Sequence, residues 1–129
     1  MLRAILSVLF SVLLGCATQA ASEAEWRACR SGEPDDRLNA CSRIIDAGAL
    51  SASDRTQALH NRAIAHQAKG LYDRVIADTT AAIRLQPNLA ELYWSRGRAH
   101  SYKKAYDLAI RDYDQAIKLN PGYASAFNN

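Results

Sequence analysis

An internal repeat of 34 residues constrains the fold of this chain more than any other feature of its sequence. Residues 56–89 align with residues 90–123 without a gap, and 12 of the 34 positions are identical. Two unrelated stretches of this length and ordinary composition would agree at about two positions. The identical pairs are Arg62/Arg96, Ala65/Ala99, His66/His100, Lys69/Lys103, Tyr72/Tyr106, Asp73/Asp107, Ile76/Ile110, Asp78/Asp112, Ala82/Ala116, Ile83/Ile117, Leu85/Leu119 and Pro87/Pro121. Such a period indicates stacked units that share one continuous core.

Each repeat is predicted to form two helices separated by a turn. In the first repeat, apolar residues recur at helical spacing before Gly70 and again from Tyr72 onward. Pro87 ends the second helix, because proline lacks an amide donor and disfavours helical geometry in the preceding residue. The second repeat follows the same order, with helices predicted over residues 89–103 and 107–119. The pattern therefore predicts an all-α chain.

This two-helix unit of 34 residues resembles the tetratricopeptide repeat. The residues that carry the resemblance are small residues where the helices cross, aromatics at the turn and terminal prolines: Ala63 and Gly97, Tyr72 and Tyr106, Pro87 and Pro121. The family's aromatic in the second helix is matched by Tyr113, whereas Thr79 in the first repeat should leave that layer less filled. The resemblance implies a solenoid, an α-α superhelix of antiparallel helix pairs, with repeats over residues 54–89 and 90–123.

Residues 22–53 are interpreted as a diverged first helix pair. A short helix is predicted over residues 26–29 and a second one over residues 36–46, with apolar residues at helical spacing. Gly48 can end this second helix, and Ser51 can cap the helix that follows. The resemblance therefore extends, more weakly, to the start of the chain's body.

Two of the three cysteines, Cys29 and Cys41, fall on the two helices of this first unit. An even pair of cysteines indicates a disulfide when a protein is exported to an oxidising compartment. The spacing is not C-x-x-C, so neither a thioredoxin-like site nor a haem attachment motif is present. We predict a structural disulfide that contributes about 2–3 kcal/mol.

The first residues have the order of an export signal. Arg3 gives a short basic start, residues 4–14 are apolar, and small residues follow. This order predicts a signal peptide over residues 1–21, with cleavage after Ala20. The body of the protein would then be periplasmic or secreted.

Two alternatives to simple secretion remain open. Cys16 closes a stretch that resembles the lipobox of bacterial lipoproteins, in which the signal ends at residue 15 and Cys16 is lipidated. Residues 4–22 are also uncharged over nearly the length that spans a bilayer, so the segment could be an uncleaved anchor. Membrane attachment would occur only through one of these routes.

Residues 124–129 repeat the beginning of a unit, with Phe127 at the position of Leu59 and Tyr93. The helix over residues 107–119 would then have an uncovered apolar face. A longer natural chain, a partner or self-association could cover that face. Truncation of a longer chain is our preferred interpretation.

The polar residues of the repeats do not form a catalytic motif. Of the three histidines, His66 and His100 occupy equivalent positions and are expected to pack between helices. The repeated acids are expected to cap helices or pair with a neighbouring arginine, namely Asp73, Asp107, Asp78 and Asp112. Metal ligands at motif spacing, nucleophile motifs and nucleotide-binding glycine patterns are absent from the sequence. We therefore expect no catalytic residue, no metal, no cofactor and no enzymatic activity.

The charges do not favour nucleic acid as a partner. The chain has 16 lysines and arginines and 13 acids, a net charge of +3, and the two signs alternate along the sequence. Binding to phosphates requires a clustered basic face. A protein or peptide is the expected partner.

The resemblance implies a concave groove lined by the first helix of each repeat. The matching positions are Gln57, His60, Asn61, Ile64 and Gln67 in one helix and Glu91, Trp94, Ser95, Arg98 and Ser101 in the next. An exposed Trp94 beside Arg98 would be an energetic anchor for a ligand. Alternatively, Trp94 covers the neighbouring unfinished unit.

The expected function is to hold a peptide or helix of a partner protein in this groove, in the bacterial envelope. Two other functions remain open. The repeats could be an accessory region of a longer enzyme, or they could act as a structural spacer in the envelope.

Overall fold

The computed structural model describes residues 20–123, which form six helices and no strand. The helices are α1 (Glu23–Ser31), α2 (Pro34–Asp46), α3 (Ala52–Ala68), α4 (Tyr72–Leu85), α5 (Ala90–Tyr102) and α6 (Tyr106–Leu119). Residues 1–19, with most of the predicted signal peptide and Cys16, and residues 124–129, with the predicted start of a third repeat, lie outside the described residues. The predicted all-α fold is confirmed.

The first helix pair is longer than the sequence pattern predicted. Helix α1 begins at Glu23 because Ser22 caps it: the Ser22 hydroxyl accepts from the Glu25 amide, and the Glu25 carboxylate accepts from the Ser22 amide. Helix α2 begins at Pro34 and not at residue 36, because proline is favourable in the first turn, where its missing amide has no partner to lose. The prediction of a helix over residues 26–29 was therefore too short at both ends.

The turns between helices follow the predicted signals. Gly48 has a φ of +85° just after α2, and the Ser51 hydroxyl accepts a hydrogen bond from the Asp54 amide at 3.0 Å to cap α3. Gly70 has a φ of +70° between α3 and α4. Lys104 takes the same left-handed conformation at the matching turn of the second repeat, which costs roughly 1 kcal/mol for a residue with a side chain.

The helices stack in sequence order in two rows. Each helix packs on the next, and α3 also contacts α1 and α5. Short connections make consecutive helices antiparallel. The first helices of the three units therefore form an inner row, and α2, α4 and α6 form an outer row.

The main core joins the first unit to the repeats. Cys29 and Cys41 are fully buried beside Ile44, and the same cluster continues through Leu59 to Leu92 on α5. The Sγ atoms of Cys29 and Cys41 lie 2.07 Å apart, which is disulfide-bonding distance. The cysteine pair therefore sits inside the core that connects the units.

The small residues at the helix crossings allow close packing. A Cβ atom added to Gly97 would lie 2.9 Å from two ring carbons of Tyr113, so only glycine fits against that ring without a shift. In the first repeat, Ala63 and Thr79 occupy these positions and both are fully buried. The smaller Thr79 is thus accompanied by a larger neighbour at the crossing.

No helix within residues 20–123 is both long enough and apolar enough to cross a membrane.

Candidate functional site

A repeated ion pair holds the inner helix of each repeat to its outer helix. Arg62 on α3 donates two hydrogen bonds to Asp78 on α4, from Nε at 2.8 Å and from Nη2 at 2.7 Å. Arg96 on α5 binds Asp112 on α6 with the same atoms and distances. Both aspartates are only 6% exposed, and the bidentate geometry is the strong form of this contact. The expectation that these acids pair with arginine is confirmed.

The same arginines also reach the preceding unit. Arg62 donates through Nη1 to the Ser42 hydroxyl of α2 at 3.4 Å, and Arg96 donates to the Thr80 hydroxyl of α4 at 3.1 Å. Two surface ion pairs also join a unit to the preceding one, namely Lys69 with Asp35 and Lys103 with Asp73. Most of the polar identities between the repeats therefore serve the contacts within and between units, which rigidify the inner row.

The two repeated histidines pack beside these ion pairs. His66 is buried with Nε2 3.6 Å from Asp78, and His100 lies 3.8 Å from Asp112. Desolvation lowers the pKa of His66, and the positive charge of Arg62 adds to this effect, while Asp78 acts in the opposite direction. The pKa of His100 is lowered by desolvation in the same way. Both side chains are therefore expected to be neutral at pH 7, as packing residues rather than charged ligands.

These histidines predict a loss of stability in mild acid. The folded-state pKa values lie below the ordinary value of 6.5, so the unfolded chain binds more protons just below that pH. Their stabilising contribution is complete above pH 6.5 and is lost as the pH falls toward the lowered values. Urea unfolding between about pH 7.5 and about pH 5.5 should show this loss, and a His66→Gln variant should lose less. An equal pH slope in the variant and the parent would contradict the assignment.

The predicted groove contains a polar cavity between α3 and α5. Its volume is about 370 Å³, and it brings together four of the predicted residues, Gln57, His60, Asn61 and Glu91. Its other lining residues are Ser53, Thr56, Gln86, Leu89 and Leu92. The cavity is thus framed by two inner helices and closed at one end by the linker between α4 and α5.

Two polar groups in this cavity bear on what it could bind. The Asn61 Nδ2 atom is buried and has no hydrogen-bond partner among the described residues. His60 is half-buried, and desolvation lowers its pKa while nearby Glu91 acts in the opposite direction. The cavity therefore has a neutral imidazole and a carboxylate acceptor in its lining, next to a buried amide donor without a partner.

A second, smaller cavity lies between α5 and α6. It has a volume of about 230 Å³ and is lined by the predicted residues Arg98 and Ser101 together with Tyr102 and Tyr113. Desolvation raises the pKa of Tyr113, so its hydroxyl keeps its proton at neutral pH. This cavity has one basic group and two aromatic residues in its lining.

The structure differs from the sequence prediction at Trp94. The side chain is half-buried instead of exposed, because its ring packs 4.7 Å from the Tyr113 ring and 5.6 Å from the Tyr123 ring. Both rings belong to the same repeat as Trp94, residues 90–123, and the unfinished unit that Trp94 could alternatively cover lies outside the described residues. Its value as an exposed anchor beside Arg98 is therefore reduced.

The remaining predicted residues line neither of these two cavities. Ile64 is 39% exposed on α3, whereas Gln67 and Ser95 are half-buried. Sequence reasoning missed Gln86 and Leu89, because it considered only one face of the inner helices. The short linker after the first repeat, which ends one helix and starts the next, is the sequence signal that could have identified them.

The comparison with known protein families agrees with the second repeat. Residues 90–123 match the family model of the tetratricopeptide repeat. The matched range is the same as the second repeat of the internal alignment and contains α5 and α6. No curated protein matches the chain.

Proposed function

This chain is a tetratricopeptide repeat protein, and we propose that it binds an extended segment or a helix of a partner protein in the groove of α3 and α5. Tetratricopeptide repeats generally mediate protein–protein interaction. The observation that carries the proposal for this chain is the polar cavity that contains Asn61, His60 and Glu91.

The chemistry of the cavity suits a peptide main chain. A buried amide donor without a partner costs roughly 1–3 kcal/mol, and a ligand carbonyl that accepts from it recovers that energy. The terminal torsion of asparagine is broad, so the Asn61 amide can rotate to meet a ligand carbonyl. On the opposite helix, α5, the Glu91 carboxylate can accept a hydrogen bond from a peptide amide. Main-chain recognition of this kind orients a ligand and leaves side-chain preference to neighbouring positions.

The second cavity suits an acidic side chain or a carboxylate farther along the same ligand. Arg98 is exposed and lines this cavity together with Tyr102 and Tyr113, and an arginine presents several donors to a carboxylate in a fixed arrangement. Both cavities are lined by α5. One peptide could therefore use Asn61 for its main chain and Arg98 for a negative group.

We further propose that this binding takes place outside the cytoplasm and without catalysis. The order of residues in the predicted signal region supports export, and the buried pair Cys29 and Cys41 is compatible with an oxidising compartment. The groove's polar groups are explained by peptide recognition, which needs no reacting group.

A random-peptide display selection against the purified protein tests the groove. Selected peptides are expected to lose about tenfold in affinity for Asn61→Ala and for Arg98→Ala, measured by fluorescence anisotropy. Asn39→Ala is the matched control, because Asn39 is an exposed asparagine on α2, away from the groove. Circular dichroism should show that all three variants keep their helix content.

If the selected peptides bind Asn61→Ala and Arg98→Ala as tightly as the parent, the binding surface lies elsewhere. Loss of binding in Asn39→Ala would lead to the same conclusion.

A further inference from the structure

The outer helix α6 repeats the face that α4 buries against α5. On α4 this face consists of Tyr72, Asp73, Ile76, Thr80 and Ile83. The corresponding residues of α6, which we call the α6 terminal face, are Tyr106, Asp107, Ile110, Asp114 and Ile117. Four of the five positions are identical, so the contacts of α4 show how a helix can pack on α6.

The α4–α5 contact has an apolar centre and a charged flank. Tyr72 stacks on Tyr102 with ring centroids 4.8 Å apart, and Lys103 pairs with Asp73. Seven residues before Lys103 on α5, Arg96 donates a hydrogen bond to the Thr80 hydroxyl. The docked helix therefore presents an arginine and, seven residues later, a lysine to two positions of α4 that are also seven residues apart.

On α6 the same face is open within the described part of the chain. Tyr106 is 58% exposed, Ile110 is 56% exposed and Ile117 is 39% exposed. Asp107 and Asp114 have no ion pair within residues 20–123, although each has a basic residue four positions later on its own helix. Two carboxylates thus stand where α4 receives the lysine and the arginine of α5.

Helix α6 itself carries the basic pair that this face requires. Arg111 and Lys118 are seven residues apart, as Arg96 and Lys103 are on the docked helix α5. These four exposed charged residues, Asp107, Arg111, Asp114 and Lys118, lie on one flank of the apolar stripe, given 100° per residue. In an antiparallel pair of identical helices, each flank meets the same flank of the other copy. Asp107 then faces Lys118 of the second copy, and Asp114 faces its Arg111.

We propose that the α6 terminal face binds the α6 terminal face of a second copy of this chain, with the two helices antiparallel. The arrangement is a two-fold symmetric interface, in which every contact occurs twice and four ion pairs flank one apolar seam. The helices α3 and α5, which also carry the basic pair, are already packed inside their own chain. A single helix from each copy gives an interface at the small end of the usual range, so the dimer is weak and depends on concentration.

Charge reversal and mixing test this interface. Sedimentation equilibrium of the purified protein should show a monomer–dimer equilibrium. The double variant Asp107→Lys/Asp114→Arg makes the flank entirely basic, and Arg111→Glu/Lys118→Glu makes it entirely acidic. Each alone should weaken dimerisation by about tenfold or more. An equimolar mixture of the two variants should restore a dimer, because all four pairs again have opposite charges.

A matched charge reversal controls for general effects. Asp36→Lys on α2 changes another exposed acid, on a helix that does not contact α6, and should leave the equilibrium unchanged. A protein that stays monomeric up to about millimolar concentration overturns the proposal. A mixture of the two variants that fails to dimerise also overturns the proposal. The same holds if a peptide with the sequence of residues 89–104 binds to a protein that does not dimerise, because the face would then belong to a foreign helix. None of these outcomes affects the groove of α3 and α5.

Discussion

Replacing Asp112 with alanine is expected to lower the free energy of unfolding by about 3 kcal/mol. Asp112 is 6% exposed and accepts two hydrogen bonds from Arg96, whose side chain is also largely buried. Removal of the carboxylate leaves a guanidinium in the interior with its Nε and Nη2 donors unmatched. The penalty comes mainly from this uncompensated charge, and only in part from the lost attraction.

Asp114→Ala is the matched control for this prediction. Asp114 lies two residues later on α6 and is exposed, without an ion pair among residues 20–123. At protein concentrations low enough to keep the chain monomeric, its removal should change the free energy of unfolding by less than about 0.5 kcal/mol. Urea titrations followed by circular dichroism give both values with one method. Equal stability of the two variants would show that the buried Arg96 pair does not hold α5 to α6.

The pairing of Asp78 and Asp112 with arginine was only partly predictable from the sequence. The identities Arg62/Arg96 and Asp78/Asp112 were visible in the alignment, and a pairing of these acids with arginine was expected. The partner of each acid could not be assigned, because the paired residues are 16 positions apart on different helices. Only the packing of inner on outer helix selects the pair.

The residues of the predicted groove could be foreseen only in part. The resemblance to the tetratricopeptide repeat implied that Gln57, His60, Asn61 and Glu91 face one groove, and these four do line one cavity. Helical geometry placed Trp94 there as well, yet its ring is covered by aromatic residues of α6 and the following turn. A helical wheel describes one helix at a time, so it cannot show which of its side chains a later helix covers.

The helix boundaries illustrate a different limit. Gly48 and Gly70 marked turns correctly, because a left-handed residue is a local property of the chain. The beginning of α1 depended on a reciprocal contact between Ser22 and Glu25, and that of α2 on proline in its first turn. Apolar periodicity carries neither signal, so the predicted first pair was too short.

Loss of the covalent link between Cys29 and Cys41 is expected to lower the free energy of unfolding by about 3 kcal/mol. The two residues are 12 positions apart and fully buried, and they join α1 to α2 inside the core shared with α3. The link restricts the unfolded chain, so its removal makes unfolding more favourable. Within residues 20–123, α1 packs on α2 and α3 and has a neighbouring unit on one side only.

Thermal melts with and without reductant measure this contribution. The parent should melt roughly 10 °C or more lower after reduction, since 1 kcal/mol shifts the melting temperature by about 4–8 °C in a domain of this size. Cys29→Ala/Cys41→Ala should already melt low and should not respond to reductant, which separates loss of the link from other effects of the reagent. Hydrogen exchange should show the largest gain in α1, because the other helices keep neighbours on both sides or the ion pairs between repeats. Equal melting temperatures of oxidised and reduced protein would mean that packing alone stabilises the first unit and that the disulfide adds nothing to its stability.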